Sequence, residues 1–205
     1  MNEGWRQFYP SSRSDEIGNL KLKMDSNLAV VYLVLLLVFL SGSGFFIVRQ
    51  IFRTREVESK MSQLQQQLSQ GQGTAQEYYK LGCIYNDKNL YSQAIAVLQK
   101  ALKAVEEQEP PENIAMIYNA LGYAHFAKEE YDIAIRNYKE ALKLTPEYAT
   151  ACNNLGYAYE RKKLTSQALE AYEKSLSLEP NNQIAQRRAE SLRKRLGIPT
   201  SETAQ

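Results

Sequence analysis

Residues that carry chemistry are scarce in this chain. Its 205 residues include one histidine, two cysteines and one tryptophan. There is no Cys-x-x-Cys and no His/Asp/Glu cluster, so neither a metal site nor a dithiol centre has its ligands in the sequence. His125 stands alone, at a position that reads as helix packing. No glycine-rich phosphate loop occurs: Gly71-Gln72-Gly73 has no strand before it and no lysine after it. A strong excess of charge of either sign is also missing. There are 25 basic and 23 acidic residues, a net of +2. A nucleic-acid binder needs a continuous basic surface, and this balance does not supply one. The expectation is a protein with no catalysis, no cofactor, no small-molecule substrate and no nucleic-acid partner.

What is present is a repeat. Leu81-Gly82, Leu121-Gly122 and Leu155-Gly156 are each followed, twelve residues after the glycine, by an alanine: Ala94, Ala134 and Ala168. The last two units recur at 34 residues throughout, from Gly122 to Gly156, Tyr138 to Tyr172 and Pro146 to Pro180. The first unit lies 40 residues upstream of the second, with Glu109-Pro110-Pro111-Glu112 in the extra length. Apolar residues at three- and four-residue spacing predict two helices per unit. The glycine lets the paired helix approach, which must outweigh a helix-interior penalty of roughly 1 kcal/mol against alanine. Pro146 and Pro180 stop the second helix. This pattern resembles the tetratricopeptide repeat over about Ala75 to Asn182, with departures at Cys152 and Ser175 and with His125 where Tyr85 and Tyr159 stand. Gln183 to Leu196 reads as a basic closing helix.

Leu28 to Val48 is a run of 21 residues without a charge. As a helix it would cover about 31 Å, the hydrocarbon thickness of a bilayer. A signal peptide would have a shorter core and a small-residue cleavage site, whereas Phe45-Phe46-Ile47-Val48 leads straight into Arg49. The run therefore predicts a retained anchor. Arg49, Arg53, Arg55 and Lys60 follow it, and Arg13, Lys21 and Lys23 precede it. With translation starting at Met24, the upstream side would carry no basic residue. The repeats are then expected on the cytoplasmic or stromal side.

Residues 49–74 read as a helical stalk. Val57, Met61, Leu64 and Leu68 form a heptad-like seam too short for a stable coiled coil. Residues 75–182 carry 12 basic and 15 acidic groups, and residues 183–205 carry five and two. The cluster around Arg187-Arg188 and Arg193-Lys194-Arg195 reads as the solvated face of the cap. Cys83 and Cys152 sit two repeats apart and are expected as free thiols.

In an array of this type the first helices line the concave side. One turn apart on that face come Tyr79, Cys83 and Asn86, then Asn119, Tyr123 and Phe126, then Asn153, Tyr157 and Glu160. Asn119 and Asn153 can hydrogen-bond a peptide backbone, and the aromatics offer rigid contact area. Repeats that clamp the acidic C-terminus of a heat-shock chaperone need basic residues in this groove. Tyr79, Cys83, Ala120, Thr150 and Asn154 stand there instead, which disfavours that role.

The apolar helix, the Arg-rich exit, the Gln-rich stalk, the run Gly73-Thr74-Ala75-Gln76-Glu77-Tyr78-Tyr79 and the three repeats together resemble the photosystem I assembly tetratricopeptide proteins of cyanobacterial and plastid thylakoids. That resemblance implies a single-pass thylakoid protein that aids assembly or stability of photosystem I, with photosystem I subunits or assembly factors as partners. The rival is an inner-membrane scaffold for a secretion, pilus or cell-envelope complex. The expected fold class is all-α: a disordered segment 1–27, a transmembrane helix 28–48, a stalk 49–74, repeats at 75–108, 115–148 and 149–182 forming a superhelix, a capping helix 183–196, and a disordered tail 197–205.

Overall fold

The computed structural model describes residues 12–69, 71 and 73–198. All regular structure among them is α-helical. The chain divides into a unit ending at Glu56 and a unit beginning at Val57.

The first unit belongs to α1 (Ser12–Leu68). Within it, Val30–Phe52 is long and apolar enough to cross a membrane, with a mean hydropathy of 2.5 and its side chains turned outward. That stretch lies slightly downstream of the 28–48 read from charge alone. Residues 12–27, which the sequence reading leaves unstructured, are helical. Once the apolar run is helical, each added residue extends an existing nucleus, and Gly18 is the one poor helix former from Asp15 to Met24. Residues 1–11 lie outside the described residues. In the apolar stretch, Ser41 Oγ donates to the carbonyls of Leu37 (2.7 Å) and Val38 (3.0 Å), and Ser43 Oγ donates to Leu40 (3.0 Å). These back-bonds satisfy both serine hydroxyls within the helix.

The second unit begins with the last turns of α1. Leu68 is buried and Met61 and Leu64 are half-buried against Tyr78, Leu81 and Tyr85 of the first repeat. The heptad-like seam is thus satisfied within the chain rather than by a second helix of the same kind; the Val57 side chain lies outside the described residues. Gln65 Nε2 donates to Tyr85 Oη at 2.7 Å, and Glu58 pairs with Lys88 at 3.5 Å. The stretch expected to be a stalk is therefore, from residue 57, part of the repeat body. The chain then turns sharply. A Cβ at Gly73 would strike Leu68 and Tyr78. Thr74 caps the next helix in a capping box: Glu77 N–H donates to Thr74 Oγ1 (3.2 Å) and Thr74 N–H donates to Glu77 Oε2 (3.0 Å).

Six helices form the three units: α2 (Ala75–Asp87) with α3 (Tyr91–Lys103), α4 (Pro111–Ala127) with α5 (Tyr131–Leu144), and α6 (Ala149–Arg161) with α7 (Thr165–Leu178). The cap is α8 (Gln183–Leu196), which ends on Gly197; residues 199–205 lie outside the described residues. Helix α4 starts four residues before the expected 115, because Pro111 suits the first helical position, where no N–H is needed. Helices α5 and α7 end two residues before Pro146 and Pro180.

Within each unit the turn is a Schellman motif. The N–H groups of Leu90, Glu130 and Leu164 donate five residues back, to the carbonyls of Tyr85, His125 and Tyr159. This puts Asn89, Glu129 and Lys163 at φ of 60°, 63° and 60°. Such a conformation favours Asn or Gly, so Glu129 and Lys163 hold it against a local penalty of about 1 kcal/mol.

The paired helices meet at the Leu-Gly glycines. Each glycine faces the residue sixteen positions on: Gly82 meets Leu98, Gly122 meets Tyr138, and Gly156 meets Tyr172. All three opposing side chains are fully buried, as are Ala94, Ala134 and Ala168 beside them. A Cβ added at Gly122 would lie 2.5 Å from the Tyr138 ring, and one at Gly156 would lie 3.0 Å from the Tyr172 ring. Ser175, where the second unit has Ala141, is also buried, and its Oγ donates to the Ala149 carbonyl at 3.1 Å.

Three stability outcomes follow from this packing. Gly122→Ala lowers stability by about 1–3 kcal/mol through overpacking, while Gly156→Ala changes it by less than about 1 kcal/mol, the helix preference of alanine offsetting a milder contact. Leu68→Ala lowers stability by about 2–4 kcal/mol, since its side chain closes the end of the core. Denaturant titrations of residues 57–205 measure all three; an unchanged midpoint for Leu68→Ala would detach the stalk from the fold.

Candidate partner-binding groove

The first helices lie side by side. Contacts run from α2 to α4 and from α4 to α6, whereas none of comparable extent joins α3 to α5 or α5 to α7. The first helices therefore line the inner, concave side. Every one of the nine positions read from the sequence sits on these helices, but they differ in availability.

Tyr123 is the most open, 44% exposed, with its ring edge-on to Tyr91 at 6.3 Å. Burial and the nearby Tyr91 raise its phenol above the ordinary value, keeping it neutral. Phe126 and Tyr157 are half-buried and meet at 5.0 Å with their rings tilted by 35°, joining the second repeat to the third, and Phe126 also meets Tyr131 at 5.4 Å. Met116, one turn before Asn119, is 37% exposed on the same helix. Tyr79 and Cys83 are half-buried neighbours on α2; burial raises the pKa of both groups.

The amides are engaged in the fold. Asn119 Oδ1 accepts from Asn154 Nδ2 (3.0 Å), and Asn119 Nδ2 donates to Tyr148 Oη (3.3 Å). Asn153 is half-buried, and its Oδ1 is enclosed without a hydrogen-bond partner among the described residues. Asn86 corrects the expectation of a partner contact. It is 6% exposed, and its Nδ2 donates to the Ala120 carbonyl at 3.1 Å. One helical turn beyond Cys83 the helix face has already rotated into the contact between repeats, so Asn86 stitches α2 to α4.

Glu160 is likewise engaged. Its carboxylate accepts from Arg188 of the cap (3.0 Å) and from Tyr172 Oη (3.1 Å), while the Arg188 guanidinium lies over the Tyr157 ring at 5.0 Å. Burial opposes the charge on Arg188, but Glu160 outweighs it and raises its pKa. The third repeat thus presents a neutralised pair. Sequence reasoning placed Arg188 on a solvated face and missed this contact, for which no spacing gives a signal. Tyr91 and Tyr131 were also missed, though both open the second helix of their unit and so recur in register.

His125 sits at the end of α4, with Nδ1 2.6 Å from Glu130 Oε2. That bond, with Lys128, holds the Glu130 carboxyl below the usual range. Cys83 and Cys152 are free. The groove is therefore a mostly neutral strip of aromatic and amide groups, suited to binding protein segments.

Comparison with known proteins agrees with this geometry. Models of the tetratricopeptide repeat match residues 75–105, 122–163 and 149–182. The chain is 35% identical over 183 residues to the tetratricopeptide repeat domain-containing protein PYG7, chloroplastic, of Arabidopsis thaliana, covering 89% of this chain and 59% of that protein. It is 32% identical over 129 residues to the uncharacterized protein ycf37 of Cyanophora paradoxa, covering 62% of this chain and 73% of that one. Among solved structures, the crystal structure of MamA superposes with a TM-score of 0.63 at 27% identity, over 71% of this chain and 82% of MamA.

The two kinds of groove residue separate by mutation. Asn86→Ala lowers stability by about 1–3 kcal/mol, by removing a buried hydrogen bond between α2 and α4 and leaving a void there, whereas Tyr123→Ala lowers it by less than about 1 kcal/mol. Thermal melts followed by circular dichroism distinguish them; equal losses would make Tyr123 a core residue.

Proposed function

Because the chain belongs to the ycf37 family of tetratricopeptide-repeat proteins, we propose that it is a membrane-anchored scaffold that aids assembly or stability of photosystem I. The observation that carries this reading is the reach of the similarity to PYG7. A match of 183 residues is longer than the repeat region from Ala75 to Leu196, so it takes in stalk and apolar helix as well. Shared tetratricopeptide repeats alone would have stopped at the repeats. The anchor would be Val30–Phe52, with Arg49 in its last turn and Arg53 and Arg55 just beyond it on the side that stays in the cytoplasm or stroma. The repeats then face the compartment where peripheral subunits of a photosystem arrive.

The work of the scaffold would be done by the concave strip. Tyr123 and Met116 supply exposed apolar area, and the packed rings of Phe126 and Tyr157 form a floor, so a partner segment gains by burying uncharged side chains there. Glu160, the charged groove position of the third repeat, is already paired with Arg188 of the cap. An acidic chaperone tail has no clamp here. No step in this function forms or breaks a covalent bond.

Deleting the gene in its photosynthetic host is expected to lower photosystem I relative to photosystem II, read as the photo-oxidisable P700 signal per chlorophyll. The protein is expected to remain with membranes through carbonate washing, as burial of so long an apolar helix is effectively irreversible. Normal P700 in the deletion strain would contradict the photosystem role; release by salt alone would contradict the anchor.

A further inference from the structure

A second concavity lies beside the first repeat, between the end of α1 and α2. It encloses about 460 Å³, within the range of roughly 300–1,000 Å³ typical of binding clefts. Helix α1 contributes Lys60, Leu64 and Gln67, at i, i+4 and i+7. Helix α2 contributes Lys80, Cys83 and Ile84, at i, i+3 and i+4. Each wall is one face of a helix, so the cleft is a trough about two helical turns long, or about 10 Å.

Its chemistry is uneven. The floor, with Leu64, Tyr79, Cys83 and Ile84, is apolar and half-buried. The charged residues at the rim, Lys60 and Lys80, are both positive, and no carboxylate lines it. Lys80 is exposed and forms no ion pair among the described residues, in contrast to Lys88 nearby, which pairs with Glu58. A trough between two packed helices accepts a third helix laid into it, with aliphatic side chains at i and i+3 or i+4 as anchors.

We propose that this trough docks a short amphipathic helix of a protein partner, with aliphatic residues seated on Leu64 and Ile84 and a carboxylate facing Lys80. Charge complementarity selects an acidic flank, since a basic helix would meet the exposed Lys80 ammonium at the rim. The site goes beyond the concave groove proposed above and shares only Tyr79 and Cys83 with it. It exists because the stalk packs on the first repeat, so an array lacking that packed segment would not have it. The two surfaces meet at Tyr79, which lets one partner reach both or two partners bind side by side.

The test uses the full-length protein in nanodiscs. The probes are two fluorescein-labelled alanine-based peptides of about 15 residues, long enough to form helix. One carries leucines at i and i+4 flanked by glutamates; the other has lysines in place of the glutamates. Saturable binding of the acidic peptide alone is expected by fluorescence anisotropy, weakened by about tenfold in Lys80→Glu and unchanged in Tyr123→Ala. Equal binding of both peptides, no binding of either, or no effect of Lys80→Glu would overturn the proposal. Loss in Tyr123→Ala with Lys80→Glu unaffected would also overturn it, by moving the peptide to the concave face, and would leave the scaffold reading intact. Self-association abolished by Lys80→Glu in sedimentation would overturn it in favour of a second copy as occupant.

Discussion

Helix pairing in this protein rests on a contact with no clearance. At Gly82, Gly122 and Gly156 the backbone of the first helix lies against a fully buried side chain sixteen residues on. At Gly122 there is no room for even a methyl group. Those contacts bring the two helices of each unit together, and the small alanines beside them keep the approach close. Once the pairs form, the first helices stack on one another and the second helices are held apart. The concave face and its aromatic strip are consequences of that arrangement.

Much of this is written locally in the sequence. Leu-Gly pairs, alanines twelve residues later and prolines after each second helix report contacts within one unit, and they recur, so the repeat is legible. The capping box at Thr74 and Glu77 sits within the GTAQEYY segment and explains physically why that segment looks distinctive. What was not legible depends on neighbours from elsewhere in the chain. Asn86 looked like a groove residue because its helix face is continuous with Cys83, yet it bonds to a carbonyl of the next repeat. Arg188 looked like solvated cap charge, yet it reaches the third repeat. The Met61–Leu64–Leu68 seam announced an apolar face without naming what it packs on. Helix from residue 12 followed from continuity with the apolar run, which no local pattern records.

The same structural economy shapes the binding surface. Several charges near the concave face are consumed internally, by Arg188 with Glu160 and by His125 and Lys128 with Glu130. What remains outward is mostly neutral and aromatic, with Asp87 an exposed carboxylate near Tyr123 and Cys83. Such a surface selects partners by shape and apolar burial rather than by long-range charge, so it gains little from electrostatic steering. Confinement near a membrane would offset that by raising the effective concentration of a membrane-associated partner.

The claim that the concave strip is where the protein meets photosystem I is tested most directly by site-specific photocrosslinking. A benzophenone amino acid in place of Tyr123 samples the exposed centre of the strip, and the same residue in place of Gln167, exposed on α7, samples the opposite side. After illumination of thylakoid membranes, mass spectrometry of the adducts identifies what each position touches. The account predicts photosystem I subunits or their assembly factors crosslinked at position 123 and not at 167. Adducts to the same proteins at both positions, or at 167 alone, would contradict it.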